Sequence, residues 1–104
     1  MLPMTPTFYH MVFFWLKEPE NQQHRDQFKK SLKYFIDHSL YVITGHIGVP
    51  AMTPREVVDN SYTYDLVVTF KSKEDQDLYQ EEQAHLDFIA ECKDLWHRVQ
   101  IYDS

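Results

Sequence analysis

Glycine is close to missing from this chain. Two of its 104 residues are Gly, too few to cradle a phosphate in a glycine-rich loop. Cysteine occurs once, at Cys92, so no internal disulfide can form, and its inward place on a helix fits a reducing compartment. Basic residues never run longer than Lys29-Lys30, and the net charge is −6 with histidine neutral. That balance repels a phosphate backbone and argues against nucleic acid as a partner. The longest apolar run, Met11 to Leu16, is too short for a bilayer span or a signal-peptide core, and no basic stretch precedes it. A soluble cytoplasmic protein with no membrane partner is expected. The six histidines (10, 24, 38, 46, 85 and 97) show no metal-ligand spacing, so neither a metal nor a cofactor is expected.

What the chain holds in quantity is aromatic side chains. Seven Tyr, seven Phe and two Trp, in a composition 43% hydrophobic and 25% charged, suffice to line a pocket as well as fill a core. The length supports one domain, with residues 1–7 a proline-containing lead-in and 8–104 the domain itself. FYHMVFFWLK (8–17) is rich in aromatic and β-branched residues and is predicted as a strand. KEPEN breaks it, and Phe28, Leu32, Phe35 and Ile36 then recur at helical spacing within 21–37.

YVITGHIG (41–48) is predicted as a second strand, and 49–61, with two prolines, as a long connection. YTYDLVVTFK (62–71) alternates as a third strand. Ser72, followed by Glu74 and Asp75, opens a helix by capping and by the helix dipole. YQEEQAHLDFIAECKDLW (79–96) continues it, and RVQIYD (98–103) closes as a fourth strand. This order predicts an α+β, ferredoxin-like β-α-β-β-α-β domain: one antiparallel four-stranded sheet with helices packed on one face.

The 79–96 stretch raises the question of function. His85 falls in register with Phe88, Ile89, Cys92 and Trp96, the core-facing stripe of a helix. It is either a packed imidazole with its hydrogen bond satisfied or a chemical group facing a cavity. Cys92 is no partner, because seven residues separate the two by roughly 10 Å along the axis. Tyr79 lies roughly 120° around an unbroken helix from His85, so the two converge only if the helix breaks between Gln80 and Gln83. With a break, a phenol and an imidazole share one cavity and can act as general acid and base.

His10 and Tyr64 point at the same buried layer from the first and third strands. With Val12, Phe14, Phe28, Leu32, Leu66, Phe88, Ile89 and Trp96 they make a candidate aromatic pocket, the composition of a small-molecule site. The alternative is a polar network within an ordinary core. The opposite face of the first strand carries Met11, Phe13 and Trp15, and the third strand adds Val67. Helices can cover only one sheet face, and a patch this apolar is avoided by soluble monomers. Pairing of two sheets in a homodimer covers it, unless the tail or the 49–61 loop folds across.

HMVFFWLK, YTYDLVVTFKSKEDQDLYQ and QAHLDFIAECKDLWHRVQIYD together resemble the stress-responsive dimeric α/β-barrel (Dabb) family over roughly residues 8–103. The resemblance implies a ferredoxin-like subunit, a dimeric α/β barrel and a cavity between sheet and helices in each subunit. One branch of that family holds polyketide cyclases that close a linear poly-β-ketone by cofactor-free aldol condensation. There the positions matching Tyr79 and His85 are the catalytic pair, with a pocket histidine at the position of His10. The chain departs from the family's His-Pro-x-His at the helix break, where it has Glu82-Gln83-Ala84-His85. Tyr64 replaces a histidine of the cyclase pattern, and Ile89 replaces a glycine. The leading expectation is a homodimeric binder of a small apolar or aromatic molecule. The alternatives are a cyclase-like lyase using His85 and Tyr79, a cofactor-free monooxygenase of a related dimeric fold, and a structural stress-associated oligomer.

Overall fold

A computed structural model describes residues 5–104, and residues 1–4 of the lead-in lie outside the described residues. Seven elements follow one another: β1 (Phe8–Leu16), α1 (Gln22–Asp37), β2 (Thr44–Gly48), β3 (Tyr64–Phe70), α2 (Lys73–Glu81), α3 (Gln83–Cys92) and β4 (Trp96–Asp103). The strands form one antiparallel sheet in the order β2-β3-β1-β4, the ferredoxin-like arrangement.

Local chemistry accounts for the element ends. Asn21 caps α1 by accepting the His24 backbone N–H, and Ser72 caps α2 by accepting that of Asp75. Glu74 and Asp75 then sit in the first turn of α2, where the helix dipole favours negative charge. β2 begins at Thr44, three residues later than the sequence pattern suggests. The preceding turn is committed elsewhere: Leu40 N–H goes to Glu82 and Tyr41 N–H to Ser39. β4 begins two residues early, because Trp96 pairs with Leu16 across a bulge. The helical stripe therefore ends at Cys92, and Trp96 reaches the same core from a strand.

Alternation along β1 divides the molecule. His10, Val12, Phe14 and Leu16 are buried beneath the helices. Phe28, Leu32, Val68, Phe70 and Cys92 are 0% exposed, and each large apolar side chain so buried contributes about 1.5–3 kcal/mol. Gly45 lets β2 pass beneath α1, since a Cβ there would lie 3.0 Å from Ile36 Cδ1.

Met11, Phe13, Trp15 and Val67 occupy the outer face and are half-buried. Phe13 meets Tyr62 and Tyr102 edge-on, at centroid distances of 5.0 and 6.2 Å. The Trp15 indole donates to Ser61 Oγ at 3.0 Å, and the Arg98 guanidinium stacks 4.1 Å above its ring. The end of the 49–61 connection thus flanks this face without closing it. A groove of about 220 Å³ remains between Phe13, Trp15, Asp59, Tyr62, Arg98 and Tyr102. Among the described residues, no helix is long and apolar enough to cross a membrane.

Candidate functional site

The second helical stretch is broken at Glu82, whose φ of −63° and ψ of 144° are those of extended chain. The Glu82 N–H closes α2 on the Tyr79 carbonyl, while its own carbonyl accepts from His85 and Leu86 to start α3. Its side chain reaches across to the turn after α1. The Ser39 hydroxyl donates to Oε1 at 2.5 Å, and the Leu40 N–H donates to Oε2 at 2.9 Å. These are charge-assisted bonds to one carboxylate.

The break turns Tyr79, in the last turn of α2, towards His85, in the first turn of α3. Their rings meet edge to face with centroids 5.7 Å apart. His10 approaches Tyr79 from β1 at 6.0 Å. Phe35 of α1 stacks on Tyr79 at 4.8 Å and meets His85 edge-on at 5.2 Å, a wedge that fixes both rings. The His10 imidazole is held from its far side, with Nδ1 2.5 Å from the Asp103 carboxylate.

These groups border a cavity of about 200 Å³ between sheet and helices. Of the side chains singled out in the sequence, His10, Val12, Phe14, Leu66, Tyr79, His85, Phe88, Ile89 and Trp96 line it. Phe28, Leu32 and Tyr64 do not. They are packed beneath it, with Phe28 stacked on Tyr64 at 5.3 Å, and their ring and branch atoms complete the core. Phe35, Gln80, Val99 and Ile101 also border the cavity, and Asp103 supports it through His10. Phe35 was visible as a core position on α1. The β4 residues were not, because their contribution depends on the register of β4 against β1, which places Asp103 opposite His10.

Burial lowers the pKa of His85 below the ordinary histidine value; His10 adds to the effect and Glu82 opposes it. Its imidazole is therefore neutral at pH 7. Burial, with the Glu82 charge adding to it, raises the Tyr79 phenol well above the ordinary tyrosine range, so it keeps its proton. His85 Nδ1 is buried and has no hydrogen-bond partner among the described residues. A buried polar atom left this way costs about 1–3 kcal/mol, which a suitable partner removes. Together the site offers a neutral imidazole, a protonated phenol and a carboxylate-anchored second imidazole within an apolar wall. Among the described residues, no three His, Cys, Asp or Glu side chains converge as a metal site.

No curated protein sequence matches this chain. Solved structures match its fold. A Dabb family protein with a ferredoxin-like fold from Mesorhizobium loti aligns with a TM-score of 0.78 at 16% identity, covering 96% of this chain and 96% of that one. The hydroxynitrile lyase from Passiflora edulis aligns at 0.77 and 17% identity, covering 96% and 94%. A dimeric ferredoxin-like protein of unknown function from Thermobifida fusca aligns at 0.76 and 11% identity, covering 93% and 88%. At such identities the likeness establishes the fold alone. The family model for the stress-responsive A/B barrel domain (Dabb) matches residues 8–104, and the chain belongs to that family.

Proposed function

We propose that the cavity binds a single-ring, largely apolar molecule carrying one carbonyl or hydroxyl group, which His85 and Tyr79 recognise. The observation that carries this is the buried, unpartnered Nδ1 of His85 beside Tyr79 in an otherwise apolar wall. Size narrows the ligand. An apolar cavity of about 150 Å³ accepts benzene, so about 200 Å³ suits one ring with a short substituent. An extended poly-β-ketone is disfavoured on the same ground. Phe88, Ile89 and Trp96 border this space and do not fill it, which favours a binding role over a purely structural one. Nothing in the cavity favours the monooxygenase alternative.

The test compares benzaldehyde, benzyl alcohol and toluene by calorimetry. The two oxygen-bearing probes are expected to bind about tenfold tighter than toluene, and His85→Ala or Tyr79→Phe to erase much of that difference. Equal affinity for all three in the wild type would reject recognition by these two groups.

A catalytic version has specific support: a neutral base and a protonated phenol share the cavity, and a structure of the same fold is a hydroxynitrile lyase. In cyanohydrin cleavage, His85 takes the hydroxyl proton as the carbon–cyanide bond breaks. The bonding pair leaves on cyanide, the oxygen becomes a carbonyl, and the proton returns to give hydrogen cyanide. Tyr79 hydrogen-bonds the oxygen as negative charge develops on it. A cyclase-like aldol step would use the same base to remove a proton α to a carbonyl. Release of benzaldehyde from mandelonitrile, abolished in His85→Ala, tests the lyase; no release above background from the wild type rejects it.

We also infer a homodimer formed through the outer sheet face, with Met11, Phe13, Trp15 and Val67 at its centre. The half-buried aromatic strip on that face supports it, as does the dimeric structure of the same fold. A cytoplasmic location fits the single buried cysteine.

A further inference from the structure

Nothing intrinsic to the sequence around residue 82 forces a helix to stop. No proline follows, and no glycine lies within the second helical stretch. An uninterrupted helix would turn Tyr79 and His85 roughly 120° apart. Something outside the local backbone therefore holds the break, and among the described residues the side chain at the break that hydrogen-bonds to another element is that of Glu82. Its carboxylate is anchored twice, by Ser39 Oγ and Leu40 N–H. Ser39 is itself fixed, since its hydroxyl accepts the Tyr41 N–H at 3.2 Å. The anchoring turn follows α1, the helix that supplies Phe35 to both rings.

We propose that Glu82 is the positioning residue of the cavity: by gripping the Ser39–Leu40 turn, its carboxylate holds the α2–α3 break that brings Tyr79 and His85 onto one wall. The carboxylate does at a distance what a proline at residue 83 would do through the backbone. Gln83 opens α3, where an N–H has no intrahelical acceptor and proline is well tolerated, and Glu82 already has the extended conformation favoured before proline. The grip and the proline are thus interchangeable solutions to one geometric problem. The functional meaning of this role rests on the cavity being a ligand site; the geometric claim does not.

Both are tested on the full chain with Glu82→Ala and with the double variant Glu82→Ala/Gln83→Pro. The first readout is the nuclear Overhauser cross-peak between the Tyr79 and His85 rings in protein without added probe, and the second is benzaldehyde affinity. Glu82→Ala is expected to lose the cross-peak and to bind about tenfold more weakly, as loss of a charge-assisted anchor implies. Gln83→Pro in that background is expected to restore the cross-peak and bring affinity back to within about threefold of wild type.

An unchanged cross-peak in Glu82→Ala, or a double variant with no recovery, overturns the proposal. If Glu82→Ala does not fold, Ser39→Ala removes one of the two anchors and is judged by the same cross-peak. It is expected to weaken the signal, and an unchanged signal overturns the proposal. A wild type that binds no probe but shows these cross-peak changes would retain the positioning role and reject the ligand site.

Discussion

His10 Nδ1 lies 2.5 Å from Asp103 Oδ1, joining β1 to β4 across 93 residues of sequence. With the Nδ1 proton donated to the carboxylate, the imidazole keeps a fixed tautomer and leaves Nε2 as its other polar atom. Asp103 is part exposed, so the pair is screened on one side. Asp103→Ala is expected to cost about 1 kcal/mol, read as a lower urea midpoint with an unchanged slope. It should also weaken benzaldehyde binding, and Asp103→Asn should restore part of both. Wild-type affinity in Asp103→Ala would show that His10 does not contribute to recognition.

Stability should also depend on pH through His85. Its folded-state pKa is lowered from 6.5, so between the folded value and 6.5 the unfolded chain binds the proton that the native state refuses. The contribution is intact above pH 6.5 and declines as pH falls through the folded value. Urea midpoints for wild type and His85→Gln are therefore expected to diverge in their pH dependence between neutral and mildly acidic solution, with the wild type falling more steeply. Parallel curves would mean that His85 titrates normally.

Ile89 borders the cavity one helical turn from His85. Ile89→Ala is expected to admit a two-ring aldehyde such as 2-naphthaldehyde, which the wild type should bind at least tenfold more weakly. Partial burial limits the stability loss to about 1–3 kcal/mol. Equal naphthaldehyde affinity in the two proteins would place the limiting wall elsewhere.

The assembly is checked by native mass spectrometry. Two chains of 12.6 kDa should travel as one particle, and Phe13→Glu, which sets a second acid opposite Asp65, should release the monomer. A clean monomer in the wild type would remove the barrel assembly altogether.

The legible parts of this molecule were those written as local period. Alternation in β1 and β3 separated the helix-covered face of the sheet from the outer face, and the stripe through His85 and Phe88 gave the inward side of α3. The break at Glu82 was legible only as a condition, because its grip on Ser39 joins residues 43 positions apart. Trp96 fitted the helical stripe by period, yet the chain had already left the helix. Phe28, Leu32 and Tyr64 carried an inward signal that cannot distinguish the floor of a cavity from the core beneath it. Asp103 carried no signal at all, since its role depends on strand register.

β1 contributes His10, Val12 and Phe14 to one side of the sheet and Met11, Phe13 and Trp15 to the other. The two sets differ by a single step along the strand. A one-residue slip against β3 would put Met11, Phe13 and Trp15 under the helices and strand His10 on the outside. Such a chain would lose the wall of its cavity and exchange the apolar strip of its outer face in the same error, so register alone decides both surfaces at once.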